Sequence, residues 1–213
     1  MRRPSEHAIY LRAKAGRFRE LADALHGSIS TELLNLAAEM ESAAIEMERG
    51  SGRSSAGAVL TPAPRAVRNP LDERRLILRI LHHWTEMAIA QRFPSRDNID
   101  PWLVGNDWAN CVMLILNPEK ERFNFSVVGA NLVAPGQCLD GASIADCPDG
   151  TVLADMIKHL DRCIADAAPV VIEGATAHLG TSVQYRAILM PLSDDRETVN
   201  GIFGAASFKK RDR

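Results

Sequence analysis

The chain is poor in aromatic residues: three Trp, two Tyr and six Phe make up 5% of 213 residues. So few rings offer no obvious stacking platform for a single-stranded nucleic acid. Charge of one sign is lacking too. The 25 Lys+Arg stand against 27 Asp+Glu, a net charge of −2, whereas a nucleic-acid-binding domain carries a basic footprint. No apolar run approaches the ~20 residues that span a bilayer; the densest, residues 111–116, is only strand-sized. Residues 1–7 are polar and lack the apolar stretch of a signal peptide. The four cysteines (Cys111, Cys138, Cys147, Cys163) are scattered, with no Cys-x-x-Cys pair and no His at zinc-finger spacing. They read as free thiols in a cytoplasmic protein with no metal site. Nucleic acid and membrane are disfavoured as partners. Other proteins and small ligands remain.

What is present suits a globular protein: 46% of residues are hydrophobic and 24% charged. Leu11, Ala15, Phe18, Ala22 and Leu25 recur at spacings of three and four, one apolar stripe of a helix. Gly27 suits a terminator. Leu33, Ala37, Met40, Ala44 and Met47 continue as a second helix from Ser28 or Ser30 to Arg49. Residues 1–49 therefore read as a helical hairpin. Residues 50–69 are rich in Gly, Ser, Ala and Pro without apolar period, the composition of a flexible linker. Residues 70–213 form the remaining domain.

In that domain Asn69 and Pro70 suit a helix start, and Leu76/Ile77, Ile80/Leu81, Trp84 and Met87/Ala88 make a helical stripe. Residues 110–116 and 122–128 read as a strand hairpin turned by Asn117-Pro118-Glu119-Lys120. Residues 151–167 read as one helix, and residues 169–178, 182–192 and 199–208 as three closing strands. The simplest arrangement is α+β: a five-stranded antiparallel sheet with a helical connection across one face. Strands 111–116 and 182–192 carry apolar residues at both parities, so both sheet faces should be covered.

The pieces Phe93-Pro94-Ser95-Arg96, Ile99-Asp100-Pro101, Arg122-Phe123-Asn124-Phe125-Ser126-Val127-Val128-Gly129, Leu139-Asp140-Gly141 and Leu189-Met190-Pro191-Leu192-Ser193-Asp194-Asp195 follow in an order that resembles a short proteobacterial PAS-like family over residues 72–208. The resemblance implies a PAS-like sheet and a sensory or interaction module that binds small ligands between sheet and helices and dimerises through flanking helices. On that footing the expectation is a bacterial regulator without its own effector domain, acting through ligand-responsive binding of a protein partner or homodimerisation. A ligand-free scaffold or adaptor is the alternative. A small cone-shaped isomerase- or hydrolase-like enzyme is a distant third.

Sharper chemistry finds little support. The segment around Cys138 lacks the Asn-Cys-Arg-type motif that the resemblance would require for flavin photochemistry. His159 occupies the helix where haem-binding relatives place a ligand, but on the flank of the stripe made by Leu153, Met156, Leu160 and Ile164. His82 and His83 are adjacent and point 100° apart, unlike the four-residue spacing of helical metal pairs. No Gly-x-Ser-x-Gly elbow is present, so no catalytic residue is assigned. Asp194, Asp195 and Glu197 fit turn chemistry. The expected pocket lining is Phe125, Val127, Met156, Leu160 and Leu189, with Tyr185 and Arg186 as the nearest polar candidates. Trp102 and Trp108 read as core or pocket residues.

Overall fold

The computed structural model describes residues 6–25, 28–50, 72–88, 92–119 and 121–210. Gly27, residues 51–69 of the linker and the Asn69-Pro70 helix start lie outside the described residues. The chain divides into two units, Met1–Asn69 and Pro70–Arg213.

In the first unit, α1 (Glu6–Ala24) packs along α2 (Ser28–Gly50). The expected stripes supply the buried positions: Ala15, Phe18 and Ala22 on α1, and Leu33, Ala37 and Ala44 on α2. Ion pairs fix the antiparallel register. Arg12 makes a two-pronged contact with Glu48 at 2.6 and 2.7 Å, and Arg19 pairs with Glu41 about two helical turns further on. Near the connection, the Ser30 hydroxyl donates to the Ala22 carbonyl at 2.8 Å.

The second unit begins with α3 (Asp72–Met87), followed by a short α4 (Pro101–Val104). Asp100 caps α4 by accepting the Trp102 N–H at 2.8 Å, and Pro101 fits its first turn. Five strands follow: β1 (Cys111–Asn117), β2 (Arg122–Val128), β3 (Val170–His178), β4 (Thr181–Leu192) and β5 (Gly201–Lys210). They form one antiparallel sheet in the order β2-β1-β5-β4-β3. The connection from β2 to β3 carries α5 (Val152–Ile157) and α6 (Leu160–Asp166).

Both faces are covered, as the two-parity strands require. The stripe Leu76, Ile77, Ile80, Leu81 and Trp84 of α3 is buried, and the helix packs on β4 and β5. The face it covers carries Met113, Phe203 and Met190, which are in register across β1, β5 and β4. The Trp84 indole N–H donates to the Pro191 carbonyl at 3.0 Å, so its polar atom is satisfied in the interior.

Two expectations change. The 151–167 helix is broken: His159 has φ −104° and ψ 5°, so α5 and α6 are separate. The Cys163 N–H bonds to the His159 carbonyl and restarts the helix. The last strand starts at Gly201, two residues later than the pattern suggested. Residues 193–200 are held instead by Asp195, whose Oδ1 accepts from the Ser193 hydroxyl and from the Glu197 and Thr198 N–H groups. Two segments behind the family resemblance also meet here. The Ser193 N–H donates to the Pro94 carbonyl at 2.9 Å, and Arg96 lies 3.6 Å from Asp194.

Candidate ligand-binding site

The sheet face opposite α3 is closed by α5, α6 and the 129–147 segment. Alternation sends Val112 and Leu114 of β1, Phe125 of β2, Tyr185 and Leu189 of β4 and Ile202 of β5 to this face. Met156, Leu160 and Cys163 come down from the helices. Five of the residues expected to line a pocket (Phe125, Met156, Leu160, Leu189, Tyr185) therefore lie in one buried cluster. Val127 does not join it. Between Met113 and Leu114 the register shifts from partner Val127 to partner Phe125. This bulge inserts Ser126 and turns Val127 to the face of Met113.

Over the middle of the face, Met156 and Leu189 meet above Gly204. A Cβ at Gly204 would stand 2.9 Å from Leu189 Cδ2 and 3.1 Å from Met156 Cε. The absence of a side chain in the sheet is what lets these two side chains sit there.

The polar part of the site is a bridge between helix and sheet. Asp155 on α5 accepts from Lys158 Nζ at 2.6 Å, and Thr176 of β3 and Tyr185 of β4 lie near enough to act on its carboxyl. Burial alone would raise its carboxyl, but Lys158, Thr176 and Tyr185 together outweigh that and hold it below the ordinary range. Burial, with the Asp155 charge, pushes the Tyr185 phenol up to about 12. A carboxylate held low is a poor proton acceptor near neutral pH. Burial likewise pushes the Cys111 and Cys163 thiols to about 12, which suppresses thiolate chemistry.

At the margin of the cluster lies an open groove of about 640 Å³. Phe123, Ile144, Ile157, Leu160 and Ile164 form its apolar walls, and Glu121, Arg122 and Asp161 are its charged members. Leu160 and Phe123 belong to the groove and to the core at once.

The other singled-out residues disperse. His159 stands half-buried at the α5–α6 break, and its side chain makes no capping bond. Arg186 pairs with Glu173 across β3 and β4. Trp102 is 92% exposed, contrary to the core or pocket role expected. Trp108 is half-buried, its ring 6.2 Å from Phe203. His178 proves more important than its place at a strand end suggested. It is 4% exposed and contacts both the α5 start and the 129–135 segment. Sequence reasoning missed Asp155, Thr176 and Gly204. The i,i+3 spacing of Asp155 and Lys158 was visible, but nothing local reveals an interaction that reaches two strands.

Comparison with known proteins follows the same outline. No curated protein matches the sequence significantly. Among solved structures, one similar chain is titled "Structure of an RNA-binding Light-Oxygen-Voltage Receptor". It is 20% identical with a TM-score of 0.33, and the match covers 49% of this chain and 32% of that one. The chain thus spans about a third of that receptor's length. The model of the family described as "PAS domain" matches residues 74–207, which take in most of α3, β1 to β4, the helical connection and most of β5. By that match over more than half its length, the chain belongs to the PAS domain family.

Proposed function

We propose that this protein is a sensory regulator with no chemistry of its own. Its PAS domain takes a small apolar ligand in the groove beside α5 and α6, and passes on occupancy as a change in how those helices pack. A protein partner, or a second chain meeting it through the helices N-terminal to the sheet, reads that change as a population shift. The observation that carries this reading is the double membership of Phe123 and Leu160. An occupant of the groove touches two side chains that also support the core. Its volume of about 640 Å³ lies in the range of small-molecule sites.

The test is a fluorescence titration of the purified chain with the apolar dye 1-anilinonaphthalene-8-sulfonate, repeated on Ile164→Arg. Saturable binding to the parent chain, lost in the variant while its circular dichroism spectrum is unchanged, is the expected result. Equal binding by both proteins, or none by either, removes the groove from the proposal.

A second reading is a scaffold that binds no small molecule. Its support is the filling of the face centre by Met156 and Leu189 over Gly204. Native mass spectrometry of protein purified from its own host separates the two readings, since only the sensor retains a small molecule.

A further inference from the structure

The two edges of the sheet are treated differently. β2 is covered: the Phe125 N–H donates to the Ala142 carbonyl at 2.9 Å, the Gly141 N–H donates to the Phe125 carbonyl at 2.7 Å, and Asp140 accepts the Val128 N–H. β3, the opposite edge, is nine residues long and pairs with β4 alone among the described strands. The β3–β4 turn consists of Leu179 and Gly180, both at positive φ (50° and 75°), so His178 and Thr181 close a two-residue hairpin. From that pair, even-numbered residues of β3 bond β4. Val171, Glu173, Ala175 and Ala177 turn their N–H and carbonyl groups to the free edge. Glu173, Ala175 and Ala177 are exposed.

Exposed strand edges invite pairing, and proteins usually blunt them with Pro, Lys, a bulge or a cover. β3 has neither Pro nor Lys within it, and its pairing with β4 runs from Val170 to His178 without a shift. Its lone charge, Glu173, is already paired with Arg186. A foreign peptide adding to such an edge needs pockets for alternate side chains to gain specificity. The outward run of Gly174, Ala175 and Ala177 is too small to shape them.

We propose that β3 pairs with β3 of a second copy of this chain, antiparallel about a two-fold axis at Gly174. In that register Glu173 faces Ala175 of the other copy and Val171 faces Ala177, so no like charges oppose each other. Gly174 meets Gly174 at the axis, where no side chain can clash. The interface goes beyond the function proposed above and does not depend on a ligand.

Sedimentation of the full chain across roughly 1–100 µM, the regime of small interfaces, tests the pairing together with two variants at one position. The wild type should form a dimer in this range. Ala175→Glu sets a second carboxylate opposite each Glu173 and should weaken the dimer about fivefold or more. Ala175→Lys sets an ammonium there and should leave the dimer as tight or tighter. Both variants change an exposed side chain, and matching melting curves establish that both fold. A monomeric wild type overturns the proposal, as does a dimer that responds alike to the two charges or ignores them.

Discussion

His178 and Val152 meet where the end of β3 touches the start of α5: the Val152 N–H donates to His178 Nδ1 at 3.4 Å. The other ring nitrogen lies 3.1 Å from the Asn131 carbonyl, and the ring packs against Phe208 of β5 at a centroid distance of 4.4 Å, tilted by 58°. One tautomer satisfies both partners, with the proton on Nε2 and the lone pair on Nδ1. The imidazole thus ties the helical connection to the sheet at a buried point.

Replacing His178 by Leu keeps a comparable volume but removes both the acceptor and the donor. An orphaned buried backbone group such as the Val152 N–H costs about 1–3 kcal/mol. The expected loss in urea unfolding is about 2–3 kcal/mol, with His178→Gln costing less because its amide can reach one partner. A loss below about 0.5 kcal/mol in the Leu variant would show that solvent satisfies these groups and that the ring is no tie.

The β3–β4 turn points the other way, toward an easy gain. Leu179 is 45% exposed with φ 50°, a conformation that branched and bulky side chains adopt at a cost. Two-residue turns of this kind favour Asn-Gly, and Gly180 is already in place. Leu179→Asn should raise stability by about 0.5–1 kcal/mol, seen as a higher melting temperature. A lower melting temperature would mean that the Leu179 side chain makes a contact that outweighs the strain.

Much of this architecture was legible in the sequence because it is local. The stripe from Leu76 to Trp84 gave α3, and the turn residues around Asn117 and Gly180 gave the hairpins. The bulge was not legible. One extra residue, Ser126, reverses the side-chain parity of β2, and a period-of-two reading then assigns Val127 to the face of Phe125. The α5–α6 break at His159 was hidden as well, since Met156 and Leu160 keep helical spacing across it and both stay buried. The bridge from Asp155 to Tyr185 joins residues thirty positions apart, and only the folded sheet brings them together.

Close approach, not backbone freedom, explains two glycines. A Cβ at Gly129 would stand 2.4 Å from the Ala109 carbonyl oxygen and 2.7 Å from that of Trp108. Both obstacles are backbone, so the chain must move. At Gly204 the nearest atoms are the methyl ends of Leu189 and Met156, with the Ile188 carbonyl at 3.1 Å. Gly204→Ala should cost about 1–3 kcal/mol and Gly129→Ala more than that. Adding Met156→Ala to Gly204→Ala tests the assignment further. If the methionine methyl is the obstacle, the double variant loses less than the sum of the two single losses. Additive losses would place the strain on Leu189 or the Ile188 carbonyl instead.

The Asp155–Tyr185 contact gives the fold a pH profile whose sign is fixed at each end. Asp155 has its folded pKa depressed by net hydrogen bonding. Its contribution is therefore complete above the unfolded carboxylate value of about 3.9 and is lost as pH falls through the lower folded value. Tyr185 has its phenol raised to about 12 by burial and the Asp155 charge. The folded state holds that proton more tightly than the unfolded one, so the contribution is complete below the unfolded value of about 10 and disappears as pH rises toward the folded value. Urea unfolding of the wild type and of Tyr185→Phe, followed from neutral to alkaline pH, isolates this effect. The wild type should lose stability more steeply than the variant once pH passes about 10, because only it carries the phenol. In a chain with Tyr10→Phe, phenolate absorbance reports Tyr185 alone, and Asp155→Asn should move its titration to lower pH. Parallel stability curves, with a phenolate titration unmoved by Asp155→Asn, would mean that the carboxylate and the phenol do not meet in solution.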